Sequence, residues 1–373
     1  MSKSRHIALV ANTTWNIYNF RLNVIRKLLS EDYRITVIAP IDEYIRYREL
    51  FPQVEHVGLR YLKRDSTNPI RDLLLLRELV KVYRQVKPDI LLHYTVKANI
   101  YGGLAAKILK IPSLGVVTGL GYPFLHNGAI RSITKLLYRL SNRYHRYVVF
   151  ENYDDHQLFL NEGLVQEGQG RPLRGCGVDI EHFKMNGDTP YKDGVVFTFI
   201  GRILYDKGVK EFVDAAEKVR KHFAQSEFWI LGELDRGNPS AVREKDLLEW
   251  VEAPNINYLG SRKDVRKIIA QSDCIVLPSY REGFSRVLME AMAMSTPVIT
   301  TDSPGCREAV EEGMTGLLVP AGDVDQLAKA FNQFIAMSKD AKHEMGVNAR
   351  KKAVREFDDR KIANQLFEVI HSV

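Results

Sequence analysis

Two carboxylates and two cations in the second half of the chain have the types and the order for one task. Glu282 and Glu290 bracket the run Glu282-Gly283-Phe284-Ser285-Arg286-Val287-Leu288-Met289-Glu290. Upstream lies a basic element, Gly201-Arg202-Ile203-Leu204-Tyr205-Asp206-Lys207-Gly208. A guanidinium grips a phosphate through two hydrogen bonds, and an ammonium adds a compact point charge. A carboxylate accepts hydrogen bonds from two adjacent hydroxyls, as on a ribose or a hexose. Alone, each element reads as a solvated turn or a salt-bridged surface helix. Together they fit a sugar nucleotide, with the cations on a diphosphate and the carboxylates on the rings.

The elements that must position these groups are legible. Val195–Ile200 is a β-branched and aromatic run that predicts a strand, with Gly201 and Arg202 at its end and Lys207-Gly208 opening the next helix. Cys274–Leu277 predicts a second strand, stopped by Pro278. Ser285 suits the N-cap of a helix beginning near Arg286, whose first N–H groups and dipole favour anions. Gly283 permits close approach of the backbone to a ligand. Glu290, on the second turn, leans toward the helix N-terminus and so toward the same ligand. The one Asp-x-Asp, Asp323-Val324-Asp325, follows Pro320-Ala321-Gly322 and reads as a helix cap. No metal is called for if the cations neutralise the diphosphate.

Strand-like and helix-like segments alternate along the whole chain. In the first half, strands are expected at His6–Ala11, Arg34–Ala39, Ile90–His93, Ser113–Thr118 and Tyr147–Phe150. Helices are expected at Phe20–Leu29, Asn68–Val86 (capped by Ser66 or Asn68, with Pro69 in the first turn), Lys97–Lys110 and Ile130–Arg143. The pattern falters where six glycines fall within 163–187, then restarts. This alternation predicts an α/β fold of two doubly wound parallel sheets. The boundaries are placed at 1–175, 176–357 and a last segment 358–373 whose helix could pack back on the first domain. Ligands of such sheets bind beyond the carboxyl ends of the strands.

The net charge of +7 is lopsided. Residues 1–150 carry 24 Lys and Arg against 10 Asp and Glu, whereas residues 151–373 carry 29 against 36. The first half therefore faces something anionic: nucleic acid, an anionic membrane surface or a phosphate-bearing substrate. No nucleic-acid recognition motif accompanies the charge. Ile130–Arg146 has Ile130, Ile133, Leu137, Leu140 and Tyr144 at helical spacing beside Arg131, Lys135, Arg139 and Arg143. That is a basic amphipathic helix, read either as core-packed with a solvated face or as a contact for anionic lipid. Cys176, Cys274 and Cys306 lack metal-ligand spacing and read as reduced thiols. With no signal-peptide pattern and no apolar run long enough to span a bilayer, the expected location is cytoplasmic, peripheral to the inner face of the membrane.

These motifs, with Leu277-Pro278-Ser279-Tyr280, Gly305-Cys306-Arg307-Glu308, Gly316-Leu317-Leu318-Val319 and Gly177-Val178-Asp179, resemble family-4 retaining glycosyltransferases of the GT-B fold. The resemblance covers nearly the whole chain and implies two Rossmann-like domains facing across a cleft. It implies that Arg202 and Lys207 contact the donor diphosphate and Glu290 the ribose. It gives the donor sugar to Glu282 and the Gly283-Phe284-Ser285 backbone, with Gly201 and Leu288 lining the donor site. The catalytic assignments are Arg202, Lys207 and Glu282, stabilising a diphosphate that leaves as the acceptor attacks on the same face. Many members carry Pro where this chain has Ser285.

Details of the amino half narrow the resemblance. Ile17-Tyr18-Asn19-Phe20-Arg21, Asp42-Glu43-Tyr44, Lys97-Ala98-Asn99 and Gly119-Leu120-Gly121 are similar to enzymes that extend undecaprenyl-diphosphate-linked saccharides, of the diacetylbacillosaminyl-diphospho-undecaprenol N-acetylgalactosaminyltransferase type. That implies a UDP-sugar substrate rather than a cofactor, a polyprenyl-diphosphate-saccharide acceptor and a role in bacterial surface-glycan synthesis. Candidate acceptor contacts are Asn16 and Asn19 in the loop Asn12–Arg21, with Lys97, Thr118, Gly119 and Tyr122. The family often has His or an acidic residue near Thr118, which is no general base; His93 and His126 are the substitutes considered. The alternatives are a nucleotide-sugar epimerase or phosphorylase of related fold, and a catalytically silent scaffold at the membrane.

Overall fold

The computed structural model describes residues 4–62, 68–120, 124, 128–185, 194–252 and 256–373. The chain divides into two compact units, Met1–Gly177 with Asp359–Val373, and Val178–Asp358.

The first unit is built on seven parallel strands: β1 (His6–Val10), β2 (Arg34–Ala39), β3 (Glu55–Gly58), β4 (Ile90–Tyr94), β5 (Ser113–Val117), β6 (Tyr147–Phe150) and β7 (Gly170–Pro172). Their order is β3-β2-β1-β4-β5-β6-β7. Central β1 and β4 are buried throughout, which is why they read as continuous apolar runs rather than alternating ones. Helices cover both faces. Leu22–Ser30 packs against the last helix, Asp359–His371, whose Leu366 and Ile370 join Val24, Leu28 and the strand residues Ile7 and Leu9 in one core. The Asn23 side chain ties this junction by donating to the carbonyls of Cys176 (3.1 Å) and Asp359 (3.0 Å). On the other face Leu75, Leu79 and Tyr83 of the helix Pro69–Val86 pack against Ala8, Val10 and Leu91. Asn68 caps that helix; Ser66 lies outside the described residues.

The second unit has six parallel strands: β8 (Val196–Ile200), β9 (Glu227–Leu231), β10 (Ile256–Tyr258), β11 (Cys274–Leu277), β12 (Val298–Thr301) and β13 (Gly316–Val319). The order is β10-β9-β8-β11-β12-β13. Phe197, Phe228, Phe331 and Phe334 fill its core with ring centroids 4.5 to 5.7 Å apart. In each sheet the chain leaves one central strand in one direction and returns on the other side. The switch points lie between β1 and β4 and between β8 and β11, where ligands of such sheets bind.

One expectation fails next to a switch point. Asn12–Arg21 is not a loop, because Thr14–Phe20 is helical. Thr13 caps it by accepting from the Asn16 N–H, and the Asp42 carboxylate accepts from the N–H groups of Thr14 and Trp15. An acidic residue from beyond β2 thus satisfies N–H groups that the local sequence leaves open.

Candidate active site

At the β8/β11 switch point, Arg202, Lys207 and Glu282 lie in the two loops that leave the carboxyl ends of these strands. Lys207 closes a short 3-10 turn, Tyr205–Lys207, and Gly208 opens the helix Val209–Arg220 at φ +74°. A Cβ at Gly208 would come within 2.1 Å of the Pro278 carbonyl oxygen, so glycine is required both by the left-handed backbone and by the approach of the β11 loop. The two loops are joined through Asp206, whose carbonyl accepts from the Tyr280 N–H (3.0 Å) and the Ser279 hydroxyl (3.2 Å). Lys207 and Glu282 are therefore held against each other. The ammonium lies between both oxygens of the carboxylate, and the pair is largely shielded, with side-chain exposures of 18% and 12%.

Arg202 engages a partner outside its motif, and Glu290 one within its own. Arg202 Nη1 is 2.6 Å from Asp235 Oδ2, on the loop after β9, and remains part-exposed. Glu290 accepts from Arg286 Nε at 2.7 Å, one turn toward the N-terminus of the helix Arg286–Ala293. Burial pushes the Glu290 carboxyl above the usual carboxylate range; the adjacent Arg286 opposes the shift and Asp264 adds to it. Ser285 caps the helix, with its hydroxyl facing the Leu288 N–H. The Leu288 side chain is fully buried, and Phe284 packs on Phe357 at 5.4 Å. What Gly283 and Phe284 present at this edge is backbone.

A third strand end completes the frame. The Glu282 N–H donates to Pro304 O (2.9 Å) and the Ser285 N–H to Gly305 O (3.1 Å). Gly305 has φ +74°, and a Cβ there would lie 2.4 Å from Glu282 O. Cys306 is buried beside the ion pair; desolvation first, then the Glu282 charge, push its thiol up to about 11, so it stays neutral. At the β8 end, Gly232 packs so closely on Gly201 that a Cβ would meet the Gly201 carbonyl oxygen at 1.7 Å. Asp323 accepts from the Gln326 N–H (2.9 Å) and Asp325 pairs with Lys218, so the Asp-x-Asp caps a helix.

The first unit brings other predicted residues to the β1/β4 switch point. Asn16 is buried, with a side-chain oxygen that has no hydrogen-bond partner. Asn19 caps its own helix surface, donating to Trp15 O at 2.9 Å. Lys97 pairs with Asp72 at 2.5 Å, and Tyr101 donates to the same carboxylate at 2.8 Å. Thr118 and Gly119 follow β5, Gly119 at φ +116°. Tyr122, Gly121 and His126 lie outside the described residues. His93 is not at this edge as a base. It is fully buried, bonded to the Tyr83 hydroxyl (3.0 Å), and desolvation holds its imidazole well below its ordinary range. One residue at the switch point was not anticipated. Thr95, just past β4, has φ +75°, a left-handed conformation that β-branched residues avoid, and a buried hydroxyl without a partner.

Residues 6–152 match the family model described as "Glycosyl transferase 4-like" and residues 194–337 that described as "Glycosyl transferases group 1". The two models span most of both units. The chain belongs to the glycosyltransferases. It is 27% identical, over 98% of both chains, to the N,N'-diacetylbacillosaminyl-diphospho-undecaprenol alpha-1,3-N-acetylgalactosaminyltransferase of Campylobacter jejuni. It is 24% identical, over 78% of this chain and 76% of the relative, to the UDP-Gal:alpha-D-GlcNAc-diphosphoundecaprenol alpha-1,3-galactosyltransferase of Escherichia coli. The crystal structure of Anabaena HepE in complex with UDP and glucose matches with a TM-score of 0.80 at 20% identity, over 98% of this chain and 99% of that one. A glycosyltransferase from Rickettsia africae matches with a TM-score of 0.79 at 18% identity, over 98% of each chain. These likenesses give the GT-B fold.

In this glycosyltransferase the core-packed reading of the basic amphipathic helix does not hold for Ile130, Ile133 and Leu140, which are exposed. Lys135 and Arg131 reach Glu162 at 2.7 and 3.6 Å, and Arg139 donates to the carbonyls of Glu162 (2.9 Å) and Gly163 (3.3 Å). Three of the four cations assigned to lipid are thus spent on the protein's own loop, and only Arg143 makes no such bond among the described residues. Of the apolar row, Ile130, Ile133, Leu140 and Tyr144 face out, with Leu136 beside them, whereas Leu137 packs against the core. Among the described residues, no helix is long and apolar enough to cross a membrane.

Proposed function

We propose that this glycosyltransferase moves a sugar, an N-acetylhexosamine or related hexose, from a UDP-sugar to a polyprenyl-diphosphate-linked saccharide during bacterial surface-glycan assembly. The observation that carries the reading is the Lys207–Glu282 pair joining the β8 and β11 loops at their switch point. Support for the substrates comes from the likeness, over nearly the full length, to an enzyme named for a diphospho-undecaprenol acceptor, and from the fold shared with a protein solved with UDP. Arg202 and Lys207 take the diphosphate, Glu290 the ribose and Glu282 the donor sugar. Asn16, Thr118, Gly119 and Lys97 belong to the acceptor side, with the acceptor's diphosphate drawn by the basic first unit.

Transfer proceeds with retention. Glu282 is held on a lysine in the donor loops, which suits a clamp on the donor rather than half of an acid and nucleophile pair flanking the bond. The acceptor hydroxyl attacks on the face from which UDP departs, and a leaving-group oxygen takes its proton. The two cations stabilise the charge that develops on the diphosphate, without a metal ion. Arg202→Ala and Lys207→Ala test this: each should lower kcat/KM by the equivalent of roughly 2–4 kcal/mol, on the scale of losing one preorganised donor. Parent-like turnover in both variants would remove the diphosphate assignment.

A further inference from the structure

Residues 232–243, which join β9 to the helix Glu244–Glu252, lie along the loop that carries Arg202 and Lys207. The Ile203 N–H donates to Glu233 O (2.9 Å), the Val242 N–H returns to Ile203 O (3.3 Å), and Leu204 pairs with Ala241 in an antiparallel bridge. Ser240 is buried and closes the seam twice: its carbonyl accepts from the Tyr205 N–H (2.8 Å) and its hydroxyl from the Asp206 N–H (2.9 Å). The Tyr205 hydroxyl donates to Asp246 (2.7 Å) in the helix that follows. Ile203, Leu204, Tyr205 and Asp206 are thus each tied to this one neighbour, and the two residues that flank them are Arg202 and Lys207.

Asp235 is presented from the same segment. Two turns fix its place, with the Asn238 N–H donating to Asp235 O (2.9 Å) and the Ala241 N–H to Asn238 O (3.0 Å). The Asn238 side chain braces them by accepting from the Ser240 N–H (2.9 Å). Asp235 Oδ2 then accepts from Arg202 Nη1 at 2.6 Å. Among the described residues this is the one ion pair of Arg202, and it takes one arm of the guanidinium. The edge formed by Nε and Nη2 is left for the two-pronged grip that guanidinium makes on phosphate. A part-exposed ion pair of this kind adds little to stability. What it does is hold still a long side chain whose freedom a ligand would otherwise have to quench.

From the backbone seam and the one-armed contact, we infer that Asp235 is a positioning residue, which fixes the Arg202 guanidinium with its open edge toward the donor diphosphate. This role rests on the reading of Arg202 as a diphosphate contact; Asp235 itself touches no reacting atom. A cation held in place before the reaction stabilises the charge that develops on the leaving group more than it tightens the ground state. Loss of Asp235 therefore falls on kcat. UDP affinity changes little, because the positive charge that Asp235 had neutralised is restored as the orientation is lost.

The test uses the full chain. Turnover is read as UDP release from UDP-N-acetylglucosamine, UDP-N-acetylgalactosamine, UDP-glucose and UDP-galactose in turn, with a short polyprenyl-diphosphate-saccharide. UDP affinity is read by titration calorimetry. Asp235→Ala should lower kcat about tenfold or more, leave the Kd for UDP within about twofold of the parent's, and melt like the parent. Asp235→Asn keeps an oxygen facing Arg202 and should bring kcat back to within about threefold of the parent. In an Arg202→Ala background, Asp235→Ala should cost nothing more. The same tenfold loss in that background overturns the inference, since Asp235 would then act without Arg202. Parent-like kcat in Asp235→Ala overturns it too, and so does weakened UDP binding with a lower melting point that Asp235→Asn fails to rescue. Tighter UDP binding with kcat retained would make Asp235 a competitor for the cation instead. An impaired Arg202→Ala beside an intact Asp235→Ala rejects the positioning role alone, whereas an Arg202→Ala variant that turns over like the parent rejects the diphosphate reading and the positioning role with it.

Discussion

Replacing Glu282 by Gln should separate the two halves of the donor. The carboxylate faces Lys207 and is only 12% exposed, so the ammonium is neutralised before any ligand arrives. A diphosphate entering this site gains from Lys207 but is repelled by Glu282. At a separation of about 6 Å and an effective dielectric constant near 20, one pair of unit charges interacts by roughly 3 kcal/mol. Partial exposure and salt reduce this to about 1 kcal/mol. Glu282→Gln should therefore tighten UDP binding by about fivefold, as the cation is released and the repulsion removed. The donor sugar then loses a charged acceptor for its hydroxyls, worth about 1.5–3 kcal/mol, which outweighs the roughly 1 kcal/mol gained at the diphosphate, so kcat/KM for the UDP-sugar should fall roughly 2- to 30-fold. Titration calorimetry with UDP and steady-state turnover on one preparation provide both numbers. Lys207→Ala should weaken both. If Glu282→Gln weakens UDP binding as much as Lys207→Ala does, the pair is a single nucleotide clamp and the division of roles is wrong.

Other outcomes follow from neighbouring groups. Glu290→Ala should weaken UDP at least tenfold without unfolding the chain. Because burial raises the Glu290 carboxyl, UDP affinity should decline on acidification earlier than a surface carboxylate would allow, and Glu290→Gln should flatten that profile. His145 is buried, and desolvation lowers its imidazole to about 4; His93, 5.3 Å away, is lowered as well. Both fold neutral, so their contribution to stability is complete above the unfolded value near 6.5 and is lost as pH falls, by roughly 1.4 kcal/mol per pH unit for each. Urea unfolding at pH 7 and pH 5 should show the loss, reduced in His145→Gln. Turnover should survive a chelator, and activity restored only by a divalent cation would refute the metal-free mechanism.

The placement of the candidate site was largely legible because its residues sit where doubly wound sheets present ligands. Arg202, Lys207 and Glu282 follow predicted strands, and parallel topology brings those ends together. The partner of Arg202 was not legible. Asp235 comes from the β9 loop, and nothing in Gly232-Glu233-Leu234-Asp235 distinguishes it. Gly305 stood in a quoted motif, but only the structure ties it to the backbone of Glu282. The helix Ala129–Asn142 was only partly legible, for a physical reason. Periodicity finds apolar positions but not which of them the core takes: Tyr138 and Leu137 pack into it beside Ser141, which donates to Asn99 O (3.1 Å), and Asn142, which donates to Leu164 O (3.0 Å), while Ile130, Ile133, Leu136 and Leu140 stay exposed.

The most direct measurement incubates the full chain with single UDP-sugars and a short polyprenyl-diphosphate-saccharide, following UDP release, glycan product and anomeric configuration by NMR. The account predicts transfer from at least one UDP-sugar, one UDP released per product, and a new linkage that keeps the donor's configuration. UDP-sugar consumed with no acceptor present, or a product of inverted configuration, would contradict it.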